Sequence, residues 1–108
     1  MAQWIAVGAE SDLPAGGRLS VTAQGQNLVL FQAQGKLMAI ADTCPHAGMP
    51  LADGELRGCV LTCPFHGYTF DLNTGRNVDF PDDPPVTRYT VKIDAGQLWV
   101  DMEAPLGA

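Results

Sequence analysis

Cys44-Pro45-His46-Ala47-Gly48 and Cys63-Pro64-Phe65-His66-Gly67, with sixteen residues between His46 and Cys63, decide how this chain is read. As a pattern the two stretches are C-x-H and C-x-x-H. Each supplies one thiolate-forming side chain and one imidazole, holds a proline, and is followed by glycine, as expected where a loop turns its backbone around an ion. Thiolate is soft and anionic, and neutral imidazole suits iron and zinc. The chain has two histidines in all, and both stand in these stretches. Two sulfurs and two nitrogens can complete either a single zinc site or a two-iron cluster.

Outward from this motif, the segment 42–80 is dense in Cys, His, Gly and Pro and has room only for short strands. Its flanks read as β-structure. Strands are expected over 4–7, 18–22, 27–32 and 36–41, with a tight turn at Gly35 and one helical turn over 11–14. Tyr89, Val91 and Ile93 alternate with Arg88, Thr90 and Lys92, the period-2 signature of a half-buried strand. Asp94-Ala95-Gly96 turns the chain into a partner strand over 98–100. Trp4 and Trp99 are expected to pack in or beside the core. The fold class is therefore all-β and the chain, 1–108, a single domain. A β-sandwich base built from about 1–41 and 81–104 would carry a small inserted lobe, about 42–80. Twelve glycines and eight prolines fit short strands joined by tight loops.

At 108 residues, 46% hydrophobic and 17% charged, the composition is that of one ordinary globular domain. Twelve acidic against six basic residues give a net charge of −6, a field that repels phosphates and argues against nucleic-acid binding. A partner with a basic docking face is favoured. Residues 1–8 have no signal-peptide pattern, and no stretch approaches the roughly twenty apolar residues of a membrane span. Three cysteines, an odd number, point away from a disulfide framework and toward metal or redox chemistry. The cytoplasm is the expected compartment.

The two boxes resemble those of Rieske [2Fe–2S] proteins, and Leu51 after the first and the Asp71–Gly75 turn after the second fit as well. The resemblance implies a three-sheet Rieske-like fold with a [2Fe–2S] cluster at its tip. Cys44 and Cys63 would hold the inner iron, and His46 and His66 the outer one. Two neutral imidazoles in place of two anionic thiolates make adding an electron easier, so the potential rises above that of an all-cysteine ferredoxin.

Departures from the family pattern narrow the type. High-potential members carry an extra cysteine in each box, joined as a disulfide; here those positions are Met49 and Phe65. They also carry a serine and a tyrosine whose hydroxyls donate to cluster sulfurs, where this chain has Tyr68 and Phe70. A hydrogen bond to a charged group is worth about 1.5–3 kcal/mol, and about 1.4 kcal/mol corresponds to roughly 59 mV for one electron. Losing two lowers the potential by on the order of 130–250 mV, toward the bottom of the Rieske range. Cys59, on an expected strand over 56–61, reads as a small buried hydrophobe. Asp82-Asp83-Pro84-Pro85 reads as a stiff acidic loop, a solvated turn or, as the resemblance implies, a segment beside the cluster that shields the metal or forms part of the docking rim.

Three functions follow from these readings. The resemblance implies a monomeric one-electron carrier, transiently bound by an NAD(P)H-dependent flavoprotein reductase and by a terminal oxygenase. The chain is not itself the oxygenase, because the mononuclear iron of that enzyme needs two more histidines. The alternative carrier role is the small subunit of an NAD(P)H-dependent nitrite reductase. A zinc domain using the same four ligands is the third reading.

Overall fold

The computed structural model describes residues 3–14, 17–45, 48–65 and 67–102. Among the described residues ten strands form three antiparallel sheets. The terminal sheet pairs β1 (Trp4–Ala9) with β10 (Gln97–Asp101) and β10 with β9 (Val91–Asp94). The second sheet has the order β2 (Arg18–Ala23), β3 (Gln26–Ala33), β4 (Lys36–Ala41), β8 (Arg88–Tyr89). The third, from β5 (Glu55–Arg57), β6 (Val60–Thr62) and β7 (Thr69–Asp71), comes wholly from the stretch that carries the two boxes. The all-β expectation holds. Among the described residues no helix is long and apolar enough to cross a membrane.

The second sheet is a middle layer. Leu28 and Leu30 of β3 join one core, with Ala39, Tyr89, Leu98 and Val100. Val29 and Phe31, on the opposite face of the same strand, join another with Ile40, Leu51, Leu61 and Phe70. Successive strand residues point to opposite faces, so the unbroken apolar run Leu28-Val29-Leu30-Phe31 serves both cores. The terminal sheet covers one face of this layer and the third sheet the other. Tight turns are supplied by Gln24-Gly25 and Gln34-Gly35, each pair with positive φ, as the right-handed twist of a two-residue hairpin requires.

Several expectations need correction. The period-2 run 88–93 is two strands in two sheets. Arg88–Tyr89 pairs with β4, and Val91–Asp94 pairs with β10. The alternation runs through the crossing because both halves face the same core. The helical turn is a 3₁₀ turn at Glu10–Asp12, slightly earlier than 11–14. The strand expected over 56–61 is a hairpin instead: Arg57 pairs with Val60 across a Gly58-Cys59 turn. Gly58 has φ +61, a conformation the glycine adopts without steric cost. Cys59 is buried at that turn, and its Sγ donates to Gln34 Oε1 at 3.4 Å. The tryptophans are beside the core rather than among its buried residues. They lie half-buried in the terminal sheet, where Lys92 Nζ stands 4.2 Å from the centre of the Trp4 ring. Ile93 is exposed, out of line with its alternation.

Candidate metal centre

One box follows β4 and the other joins β6 to β7, and the two share a pattern of backbone hydrogen bonds. In the first, the Cys44 N–H donates to the Met49 carbonyl at 2.7 Å and the Gly48 N–H to the Cys44 carbonyl at 2.8 Å. In the second, the Cys63 N–H donates to the Tyr68 carbonyl at 2.7 Å and the Gly67 N–H to the Cys63 carbonyl at 3.0 Å. The offsets, five and four residues, are the same in both. Gly48 (φ +68) and Gly67 (φ +74) close the loops in a backbone region that side chains disfavour. The two stretches thus carry the same pair of backbone hydrogen bonds about a cysteine at the same offset.

Both cysteines are fully buried and belong to one core, with Phe31, Leu61 and Phe70. All three cysteines of the chain are thiols, so no disulfide braces the loops, as Met49 and Phe65 lead one to expect. His46 and His66 lie outside the described residues.

The surroundings stiffen the first loop from two sides. Asp42 Oδ1 accepts the N–H groups of Leu51 (2.6 Å) and Ala52 (2.8 Å). Arg18 Nη1, on β2, donates to the carbonyls of Ala52 and Gly54, both at 2.6 Å. The Arg18 guanidinium also covers the ring of its cross-strand partner Phe31, at 5.1 Å. Neither clamp was found in sequence, because an exposed arginine and an aspartate carry no periodic signal. After β7, Asp71 Oδ1 accepts the Asn73 N–H and Asp71 O accepts the Gly75 N–H. That is the turn the sequence reading placed after the second box. The returning chain adds one bridge to the third sheet, Phe70 opposite Asn77.

Beside the loops the surface is apolar. Phe65 (53% exposed), Val78 (52%) and Phe80 (54%) are three of the four large exposed hydrophobics among the described residues. The Phe80 ring meets Tyr68 edge-on at 6.3 Å, which sets residue 80 against the second box. Asp79 and Asp82 are exposed next to it in sequence. Tyr68 and Phe70 pack the interior. Phe70 is fully buried, and Tyr68 leans on the same core.

The residues fit an iron–sulfur cluster in kind. Two cysteines, whose thiolates are soft anionic donors, stand in a dry apolar core at matched positions. Comparison with known proteins agrees. Residues 3–90 match the family described as Rieske [2Fe-2S] domain. The chain is 33% identical over 100 residues to the naphthalene 1,2-dioxygenase system ferredoxin component of Pseudomonas aeruginosa, covering 93% of this chain and 96% of that one. It is 30% identical over 93 residues to the 3-phenylpropionate/cinnamic acid dioxygenase ferredoxin subunit of Escherichia coli (strain K12), covering 85% and 87%. Among solved structures, a chain from the complex of reduced oxygenase and oxidized ferredoxin in carbazole 1,9a-dioxygenase superposes with TM-score 0.83. That chain is 33% identical, with 95% of this chain and 96% of that one covered. The Sphingomonas yanoikuyae B1 ferredoxin follows at TM-score 0.81 and 27% identity, with 93% and 99% covered.

Proposed function

This chain belongs to the Rieske [2Fe–2S] family, and from that premise we propose that it carries single electrons from an NAD(P)H-dependent flavoprotein reductase to a terminal oxygenase. The cofactor is a Rieske-type [2Fe–2S] cluster. Cys44, His46, Cys63 and His66 are its proposed ligands. When bound, the cluster takes up and returns one electron. The protein's part is to hold it, exclude water from its inner side and offer partners a way to approach.

The observation that carries the reading is the pair of equivalent cysteine loops beside an exposed apolar patch. The loops anchor both sulfurs in a dry core, so the inner half of the site is shielded. Phe65 is the sequence neighbour of the proposed ligand His66 and Phe80 packs on Tyr68, so with Val78 they give a partner an apolar landing surface, with Asp79 and Asp82 as an acidic rim. An apolar centre within a polar rim is the anatomy of a protein interface. Acidic charge favours a partner whose face is basic and speeds encounter with it. Binding is transient in this reading, the carrier a monomer and its compartment the cytoplasm. The oxygenase systems named among the relatives favour this role over the nitrite reductase alternative.

The test is reconstitution. Purified protein should contain iron and sulfide in equal amounts, show the visible spectrum of a Rieske centre, and be required for product formation by an aromatic-ring oxygenase with its reductase and NADH. A colourless, zinc-loaded protein overturns the reading, as does turnover that proceeds equally well without it.

A further inference from the structure

We propose that the side-chain amide of Asn77 donates a hydrogen bond to a sulfur of the bound cluster, supplying a donor where Phe70 lacks a hydroxyl. Asn77 is 1% exposed. Its Oδ1 accepts the backbone N–H groups of Asp79 (2.9 Å) and Phe80 (3.0 Å). Those two bonds fix which end of the amide is oxygen. The other end, Nδ2, is the one buried side-chain nitrogen or oxygen atom without a hydrogen-bond partner among the described residues. Buried donors are rarely left so, because desolvation goes uncompensated.

The location says what the donor is for. Asn77 bridges Phe70, and Phe70 pairs with Leu61. Residues directly opposed in an antiparallel pair carry their side chains on the same face. Leu61, Phe70 and Asn77 therefore form one row. The first two belong to the core that also contains Cys44 and Cys63. A water in this apolar row would need further polar partners of its own. The acceptors this core gains on loading are the cysteine thiolates and the sulfides of the cluster. A donor there favours the reduced, more negative cluster. Asn77 thus holds the potential above the value expected from Tyr68 and Phe70 alone. The inference rests on the four-ligand reading above.

The experiment uses the cluster-loaded full chain and its Asn77→Leu variant, which keeps the branched shape and the number of side-chain heavy atoms. The variant should retain the visible spectrum, show a lower midpoint potential, and lose one exchangeable-proton coupling from the reduced cluster in electron–nuclear double resonance. Leucine also releases the 79–80 backbone, so Phe80→Ala serves as control and should keep that coupling. If Asn77→Leu leaves potential and coupling unchanged, or if Phe80→Ala loses the coupling as well, the proposal is overturned. Should Asn77→Leu fail to load, wild-type protein with ¹⁵N in its asparagine side chains decides. An amide-nitrogen coupling to the reduced cluster supports the proposal, and its absence overturns it. Colourless wild-type protein would instead sink the ligand assignment, whereas a coloured protein indifferent to Asn77 sinks only this inference.

Discussion

Arg18 and Gly54 tie the middle sheet to the loop of the first box: the guanidinium Nη1 donates to the Gly54 carbonyl at 2.6 Å while the same group covers Phe31. The Ala52 carbonyl, also at 2.6 Å, shares that donor. The loop between Cys44 and the third sheet is thus held by one cation from outside and by the Asp42 carboxylate on its N–H groups. Replacing Arg18 with methionine keeps the cover over Phe31 and removes the donors. Because Arg18 is exposed, the expected loss is about 1 kcal/mol, or roughly 4–8 °C in Tm for a domain of this size. A circular-dichroism melt checks the shift, and the visible band should fade faster on dilution. An unchanged Tm would show that the clamp contributes nothing.

Tyr68→Ser should raise the midpoint potential. A serine hydroxyl at this position, by resemblance to the high-potential proteins, donates to the cluster. One such bond is worth about 1.5–3 kcal/mol, hence a rise of roughly 60–130 mV. The variant also gives up the edge contact between Tyr68 and Phe80, so a modest fall in Tm accompanies it. Protein-film voltammetry on intact cluster reads the first effect separately from the second.

Phe80→Ala should weaken delivery of electrons without disturbing the centre. Truncating an aromatic anchor in the middle of an interface typically costs about 1 kcal/mol or more, a roughly fivefold or greater rise in the ferredoxin concentration needed for half-maximal turnover. Asp82→Asn should act differently, flattening the ionic-strength dependence of the on-rate more than it changes affinity. Stopped-flow mixing of reduced carrier with oxygenase separates the two. Unchanged kinetics in both variants would place the partner elsewhere on the surface.

Tyr89 links stability to alkaline pH. Burial pushes its phenol up from the ordinary value of 10.0, because the charged form loses solvent. The native state therefore holds this proton more tightly than the unfolded chain. Stability from this group is complete below about pH 10 and declines as pH rises above that value. Tyr89→Phe should remove this part of the decline. At neutral pH it should cost about 1 kcal/mol for the lost bond from Tyr89 Oη to Gln26 Oε1. Urea titrations at pH 7 and pH 10.5 test both halves.

The cysteines could be read from sequence because their signal is local: residue type, spacing, and a glycine and proline context within five positions. The strands could be read because alternation needs only neighbours. Where the reading failed, the deciding contact was distant or the local pattern was ambiguous. The run 88–93 alternates as one strand, yet Ala39 claims Tyr89 and Val100 claims Val91. Gly58-Cys59 could continue a strand or end one, and pairing of Arg57 with Val60 chose the hairpin.

Taken alone, the order of residues determined an all-β chain with two Cys–His boxes between β-rich flanks, since hydrophobic period and Cys–His spacing are properties of adjacent residues. Tertiary structure decided that β3 is buried on both faces and that the two cysteine loops carry matching backbone hydrogen bonds. It also brought Arg18 and Asp42 onto the segment after the first box and buried Asn77 opposite Phe70. Those outcomes depend on which faces bury together and which polar groups lose water, and residues far apart in the chain settle both.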